Sequence, residues 1–416
     1  MDRTVKAVNY MSQVTFESLA SHVITIEIVH TMQSLGALRE EWNALYEAAH
    51  NPSPPLHFDW ICNWLELNSK DYVNGTEGLR VICCRCEGKL IAALPLYQRR
   101  AVRMADGGRH LRFISTGEHE HDELCSDYMD MLCLEDTKER CAELVWHTIR
   151  EDLGRNYDRF ELSDMADDSV LVKWVRNSGA NRDVQVVPRG VCPIADLTGG
   201  FDAYLSRLSS NTRQQIRRLL RAATQAGVEM ECASTLEEAN GFFKEMIELH
   251  QKRWTSAGER GCFASASFTE FHRKLIRDWF ASGRVILTRI RQGEQTLAVK
   301  YGFRTRNRFD FYQSGVNADD KCPIRSPGIV SFMMLMQHLI EQGVQSFDFL
   351  RGSSGYKQRL ATTAQPMVSM RLVRWTMNTT MGFVADIGTR GIRKAGRLAL
   401  SRVARKPVAT SPHERE

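Results

Sequence analysis

Apolar positions along the chain follow two periods, and the periods recur in the same order twice. Arg80-Val81-Ile82 opens an apolar run, Glu87-Gly88-Lys89 supplies a turn, and Leu90-Ile91-Ala92-Ala93-Leu94-Pro95-Leu96 returns. Further on, Arg284-Val285-Ile286-Leu287 opens a run, Gln292-Gly293-Glu294 turns, and Leu297-Ala298-Val299-Lys300-Tyr301 returns. Apolar runs on either side of a short glycine turn predict β-hairpins. Helix-period segments precede each hairpin, from Leu35 to Ala49 and from Leu236 to Trp254. Another helical segment and a short strand follow each: Glu143 to Leu153 with Arg159-Phe160-Glu161-Leu162, and Ile329 to Glu341 with Ser346-Phe347-Asp348-Phe349. Each half therefore reads helix, hairpin, strand, helix, strand. The repetition predicts an α/β protein with mixed sheets, built as a tandem pair of similar domains rather than as one large sheet. The boundary falls near Pro188-Arg189-Gly190, with Leu197-Thr198-Gly199-Gly200 opening the second half. The divisions expected are an N-terminal extension (1–22), a first domain (23–188), a second domain (189–375) and a basic tail (376–416).

Composition agrees with that plan. The chain has 416 residues, 43% hydrophobic and 25% charged, which suits a globular protein of two or three domains. No apolar run approaches the roughly 18 to 20 residues that span a bilayer. Asp2, Lys6 and Glu17 interrupt the N-terminus, so a secretory signal is not expected and the cytoplasm is the expected compartment. Eleven cysteines, an odd number, do not suggest a disulfide framework in a chain this long. Cys83, Cys84 and Cys86 lie within an apolar strand pattern and read as strand thiols rather than metal ligands.

The net charge of +5 resides in the tail, where residues 376–416 hold eight Lys/Arg and three Asp/Glu. The remaining residues carry 47 of each sign, which argues against a dedicated nucleic-acid face. The tail itself supports two readings. One is a solubilising extension; the other is weak, salt-sensitive contact with anionic membranes or a membrane-bound synthase.

The chemistry gathers near the C-terminus. Phe347-Asp348-Phe349-Leu350-Arg351-Gly352-Ser353-Ser354-Gly355-Tyr356-Lys357 is a strand end that opens into a glycine-rich turn of ionisable residues. Such turns are where α/β proteins tend to place reactive groups, although an Asp348–Arg351 pair tying down a surface turn explains the residues equally. Leu205 to Gln225 reads as one amphipathic helix with Arg207, Arg213, Arg217, Arg218 and Arg221, either a solvated face or a clamp for an anionic ligand. Glu118-His119-Glu120-His121-Asp122-Glu123 is a solvated loop, a metal site or an acceptor-recognition loop. Ser314 lacks the glycines of a nucleophile elbow, and no Walker loop is present.

Four segments together resemble the GNAT acyltransferase superfamily, in its double-domain CelD-like type (cellulose-biosynthesis acetyltransferases), which looks related to the Fem-type peptidyltransferases. They are Glu248-Leu249-His250-Gln251-Lys252-Arg253-Trp254, the hairpin strand through Lys300, Ser326-Pro327-Gly328, and Phe347 to Lys357. Ser126-Asp127-Tyr128 is similar to a recurrent segment of the family's first domain. The likeness covers roughly residues 25–375. It implies GNAT-like folds in both halves, an acyl-CoA donor such as acetyl-CoA, no metal, and an amine acceptor, an amino sugar or other precursor of surface polysaccharide. It also leaves open a Fem-type transferase using aminoacyl-tRNA, or a degenerate scaffold in a polysaccharide synthesis complex. Arg325, Ser326 and Gly328 fall where the family's phosphate loop meets a helix start, with Val330 replacing its last small residue. Helix N-termini favour anions. By that resemblance Tyr356 would protonate a departing thiolate, and Asp348 and His250 would take the proton of the amine; Tyr356 packed on the helix and His250 as a satisfied helix histidine are the structural alternatives. Arg351 and Lys357 would hold an anionic part of either substrate, with Lys300 and Arg253 as further contacts.

Overall fold

Glu87 and Gly88 both adopt positive φ, +50° and +78°, the backbone of a two-residue turn that matches the twist of its flanking strands. They close the first predicted hairpin, and Gly293 (φ +54°) helps close the second. In a computed structural model the chain is described over residues 23–373, apart from 76–77, 100–108, 121, 154, 180–182, 318, 320–321 and 353. His121, the N-terminal extension and the basic tail, with the expectations attached to them, lie outside the described residues.

The first half begins with β1 (Ile24–Val29), α1 (Met32–Gly36), α2 (Arg39–Ala48) and α3 (Phe58–Tyr72). The hairpin β2 (Val81–Cys86) and β3 (Lys89–Leu94) follows, then β4 (Leu96–Arg99), β5 (His110–Phe113) and β6 (Leu132–Cys133). It ends with α4 (Lys138–Asp152), β7 (Arg159–Ala166), α5 (Val170–Asn177) and β8 (Gln185–Asp196). The second half runs α6 (Phe201–Arg207), α7 (Ser210–Gln225), β9 (Glu229–Cys232), α8 (Leu236–Ser256) and α9 (Ala266–Trp279). After these come β10 (Val285–Gln292), β11 (Gln295–Thr305), β12 (Arg308–Val316), α10 (Pro327–Glu341), β13 (Ser346–Asp348), α11 (Gly355–Leu360) and β14 (Thr363–Val373).

The single basic helix expected from Leu205 to Gln225 is two helices. Ser209 leaves the helical region and its hydroxyl accepts the Thr212 N–H, capping α7 and ending α6. Arg213 folds back to donate to the carbonyls of Ser206 and Leu208 (3.3 Å each), so part of the arginine face serves this junction. Cys83 and Cys84 are buried in β2, as the strand pattern predicts.

Strand pairing joins the halves. A four-stranded sheet has the order β1-β2-β3-β6, and a ten-stranded sheet the order β4-β5-β7-β14-β8-β13-β12-β11-β10-β9. β8 runs across the expected boundary, and its residues Ile194–Asp196, already in the second half, pair with β13. β14 ends the second half yet pairs with β7 of the first. These two strands then pair antiparallel with each other from Thr363↔Ile194 to Arg371↔Gln185. The last strand of the second half thus lies between β7 of the first half and the boundary strand β8. Where the sequence favoured separate sheets, one sheet runs through both halves. Hydrophobic periodicity identifies a strand but not the strand it pairs with.

Two cores flank the large sheet. One is shared by both halves: Trp60 of α3 lies against Phe271 (4.9 Å) and Trp279 (6.3 Å) of α9 and Phe303 of β11 (5.5 Å). The other buries α6, α7 and α10 against Phe309, Phe311 and Phe347. Aromatic pairs of this kind contribute roughly 0.5–1.5 kcal/mol each beyond area burial. Among the described residues no helix is long and apolar enough to cross a membrane.

Candidate active site

Two identical tripeptides define the site. Phe309-Asp310-Phe311 on β12 and Phe347-Asp348-Phe349 at the end of β13 run parallel, with Phe309 opposite Phe347 and Asp310 opposite Asp348. Strand alternation sends their phenylalanines to one face, where Phe309 and Phe347 pack at 5.2 Å, and the two aspartates to the other. Pairing between β12 and β13 stops at this register, while β12 continues to Val316 beside β11. A bulge at Tyr312, the extra residue between Tyr301↔Gln313 and Gly302↔Phe311, bends β12 just beyond. The strands part at the aspartates.

The face that carries Asp310 and Asp348 meets the first half. Tyr128 donates its hydroxyl hydrogen to Asp348 Oδ2, and the Leu350 N–H donates to Oδ1 at 2.7 Å. Arg308 Nε stands 2.8 Å from Asp310 Oδ1, and its guanidinium lies over the Tyr128 ring at 4.8 Å. Asp348 has no exposed surface. Burial, and then the neighbouring Asp310, push its carboxyl up to about 7, against the opposing pull of Arg308 and the Tyr128 hydrogen bond. Burial works against protonated Arg308, but the two aspartates hold it above the ordinary arginine range.

The turn after β13 is held by the first half as well. The Arg351 N–H donates to Asp127 Oδ2 at 2.9 Å, its Nε lies 3.4 Å from Asp127 Oδ1, and its guanidinium donates to Asp164. Burial pushes Asp127, only 3% exposed, up to about 6 in spite of Arg351. Lys357 points inward and donates to the carbonyls of Phe349 (2.8 Å), Arg351 (3.1 Å) and Leu350 (3.3 Å). Burial lowers its pKa. Gly352 (φ +155°) takes a backbone conformation that favours glycine, and a Cβ there would stand 2.8 Å from Lys357 Nζ and push it from its carbonyls. Cys125, Tyr128, Asp164 and Leu350 all take positive φ, half of the eight non-glycine residues that do so among the described residues. Backbone strain of this kind persists where surrounding contacts over-determine it, often at functional sites.

The sequence-predicted residues are therefore distributed as follows. Asp348 and Arg351 go to different partners rather than to each other, so the simple turn-pinning pair is replaced by ties across the halves. Arg351 and Lys357 hold the turn from within. Tyr356 is half-buried on α11 and stacks on Phe332 of α10 (5.4 Å). Lys300 is buried on β11, with Nζ 3.6 Å from the centre of the same Phe332 ring. Arg325 is exposed before α10, Ser326 takes a left-handed conformation (φ +52°), and a Cβ at Gly328 would meet only Val316, at 3.5 Å. Pro327 brings no N–H, and the amides of Ile329 and Val330 already donate to the Ser326 carbonyl (2.9 and 3.2 Å). That differs from a helix start whose amides all point outward.

His250 is buried on α8 among Phe263 (5.0 Å), Trp254 and Cys262, whose Sγ lies 3.7 Å from its Nε2. Burial brings its pKa down to about 4, so it is neutral at pH 7. Arg253 is exposed in the last turn of the same helix. His119 and Asp122 line a cavity of about 360 Å³ together with Arg260, Gly261, Ala264 and Ser265 of the second half. Ser265 donates to Asp122 at 2.6 Å, and desolvation raises the neighbouring Glu118 to about 7. Sequence reasoning assigned no role to Tyr128, Asp127, Asp164, Arg308 or Asp310. The signal that would have found Asp310 is the repeated Phe-Asp-Phe, since an ionisable residue in an apolar strand needs a partner.

Residues 210–358 match the family model described as acetyltransferase (GNAT) domain. No curated protein matches the chain. Among solved structures the chain is similar to FemX, with a TM-score of 0.57 at 10% identity over 83% of this chain and 97% of that one. It is similar also to a conserved protein of unknown function from Bacteroides thetaiotaomicron (TM-score 0.52, 11% identity, 83% and 99% covered). L-PGS from Bacillus licheniformis is a third (TM-score 0.50, 11% identity, 83% and 95% covered). At such identities the likeness shows a shared fold. Residues 210–358 form a GNAT acetyltransferase domain, and the protein is an acyltransferase.

Proposed function

We propose that the protein is an acyl-CoA-dependent N-acyltransferase of the CelD-like type, acting in the cytoplasm. Its acceptor is an amino sugar or another amine-bearing precursor of surface polysaccharide, and its simplest donor is acetyl-CoA. The observation that carries this reading is Asp348, a carboxyl raised to about 7 at the point where β12 and β13 separate. Amines arrive protonated at neutral pH, and a base with a pKa near the working pH removes that proton most effectively. Asp348, enclosed as it is, takes the proton through water. The neutral nitrogen then forms a bond to the thioester carbonyl carbon and loses its second proton as the carbon–sulfur bond breaks; the leaving thiolate takes a proton from the Tyr356 hydroxyl, which regains one from the nitrogen through water. Arg351 and Lys357 act by fixing the turn that separates Asp348 from Tyr356.

The donor phosphates would lie at Arg325, Ser326 and Gly328, with Arg325 supplying charge where few free amides remain. The acceptor would enter between the halves, because one loop of the first half carries both His119 and Asp122 into the cavity and Asp127 and Tyr128 onto the turn. His250, enclosed by aromatic rings, is assigned to packing beside that groove.

Calorimetric titration with acetyl-CoA and with a longer acyl-CoA tests the donor. Binding that is weakened in Gly328→Leu, with the fold retained, is the expected result. Absence of heat with either thioester would remove acyl-CoA as donor and turn attention to aminoacyl donors of the Fem type.

A further inference from the structure

Tyr128 and Asp348 are separated by 220 positions in sequence, yet the hydroxyl of one reaches the carboxyl of the other. The contact depends on three unusual features. Tyr128 holds a left-handed backbone (φ +68°), a conformation unfavourable for an aromatic residue. Its ring is covered by the Arg308 guanidinium, and Arg308 is itself bound to Asp310. The second Asp348 oxygen is occupied by the Leu350 N–H, whose residue is also left-handed (φ +54°). Both oxygens are therefore aimed by neighbours whose own backbones are constrained. A packing role for Tyr128 would require none of this aim, since phenylalanine would fill the same space.

We propose that Tyr128 is a positioning residue of the acyl-transfer site, supplied by the first half to set the orientation and charge state of Asp348. The inference rests on the reading of Asp348 as the base. The groups that face Asp348 come from every element around it: Asp310 and Arg308 on β12, Tyr128 on the first-half loop, Cys192 on β8 and Lys357 on α11. Among them Tyr128 is the neutral donor whose removal leaves the surrounding charges in place. Its hydrogen bond favours the ionised carboxyl, so losing it makes Asp348 harder to ionise. The single GNAT domain is on this account incomplete without the loop that the preceding half lays across it.

The test replaces Tyr128 with Phe in the full chain and follows the Asp348 carboxyl band by infrared titration, the band being identified by its absence in Asp348→Asn. The expected result is an upward move of the midpoint by about one pH unit, a tenfold change in ionisation. The acid limb of kcat/KM for acetyl-CoA with glucosamine as the amine probe should move with it. An Asp348 midpoint unchanged in a folded Tyr128→Phe protein overturns the inference. Should Tyr128→Phe fold poorly, Tyr128→Phe in an Asp348→Asn background keeps the question open to decision: a positioning role predicts no further loss of activity, a packing role predicts further unfolding. Failure of the underlying reading looks different, as full activity in Asp348→Asn.

Discussion

Asp348→Asn should make the protein more stable at alkaline pH while removing its activity. The carboxyl has an ordinary value of 3.8 and is pushed up to about 7 in the folded chain. A carboxyl raised by folding binds its proton more tightly in the native state, so stability is highest below the unfolded value and is lost as pH rises through the folded one. At roughly 1.4 kcal/mol per pH unit, the full loss is about 4 kcal/mol, reached near pH 8. Between pH 5 and pH 8 the loss is about 2 to 3 kcal/mol. Asparagine keeps an oxygen for the Leu350 N–H and has no proton to lose, so that part of the slope disappears. Asp127, Asp130 and Glu118 are raised by burial too, but they titrate in both proteins and cancel in the comparison.

The assay is urea unfolding followed by tryptophan fluorescence at pH 5 and pH 8. The variant should gain on the wild type by those 2 to 3 kcal/mol as pH rises (approximately), while turnover falls by about two to four orders of magnitude. A stability difference that is flat over this range refutes the reasoning, because Asp348 would then ionise near its ordinary value. Such a trade is common where a site holds a group that the fold alone would reject.

Tyr356→Phe keeps the ring on Phe332 and removes the proton, so turnover should fall by roughly one to three orders of magnitude with donor affinity unchanged, as read by steady-state kinetics and calorimetry. Intact turnover would return Tyr356 to a packing role. Arg351→Met takes the guanidinium from Asp127 and leaves Asp164 only the more distant Arg189 (4.0 Å); breaking a buried pair from one side costs about 3–5 kcal/mol, measured by urea unfolding at pH 7. A loss below about 1 kcal/mol would mean the seam between the halves is held elsewhere.

Local signals were readable and long-range ones were not. The hairpin turns at Glu87-Gly88 and Gly293 and the strand-to-turn switch at Asp348 follow from backbone chemistry within a few residues, and all were legible. Ser209 was legible in principle, since a serine between two amphipathic segments is a helix-capping residue. The exchange that sets β14 between β7 and β8 was not, because alternation says which face a strand buries and nothing about which half supplies its partner. That exchange also explains why the site was only half visible. Asp348, Tyr356 and the turn belong to one continuous motif, but the partners that raise or aim Asp348 come from β12 and from the first-half loop. An ionisable residue buried in an apolar strand announces that partners exist, and only the fold names them. The halves are thus bound together by contacts that also aim Asp348: separating them would free Arg351 and Tyr128 and take from the carboxyl the hydrogen bond that helps it ionise.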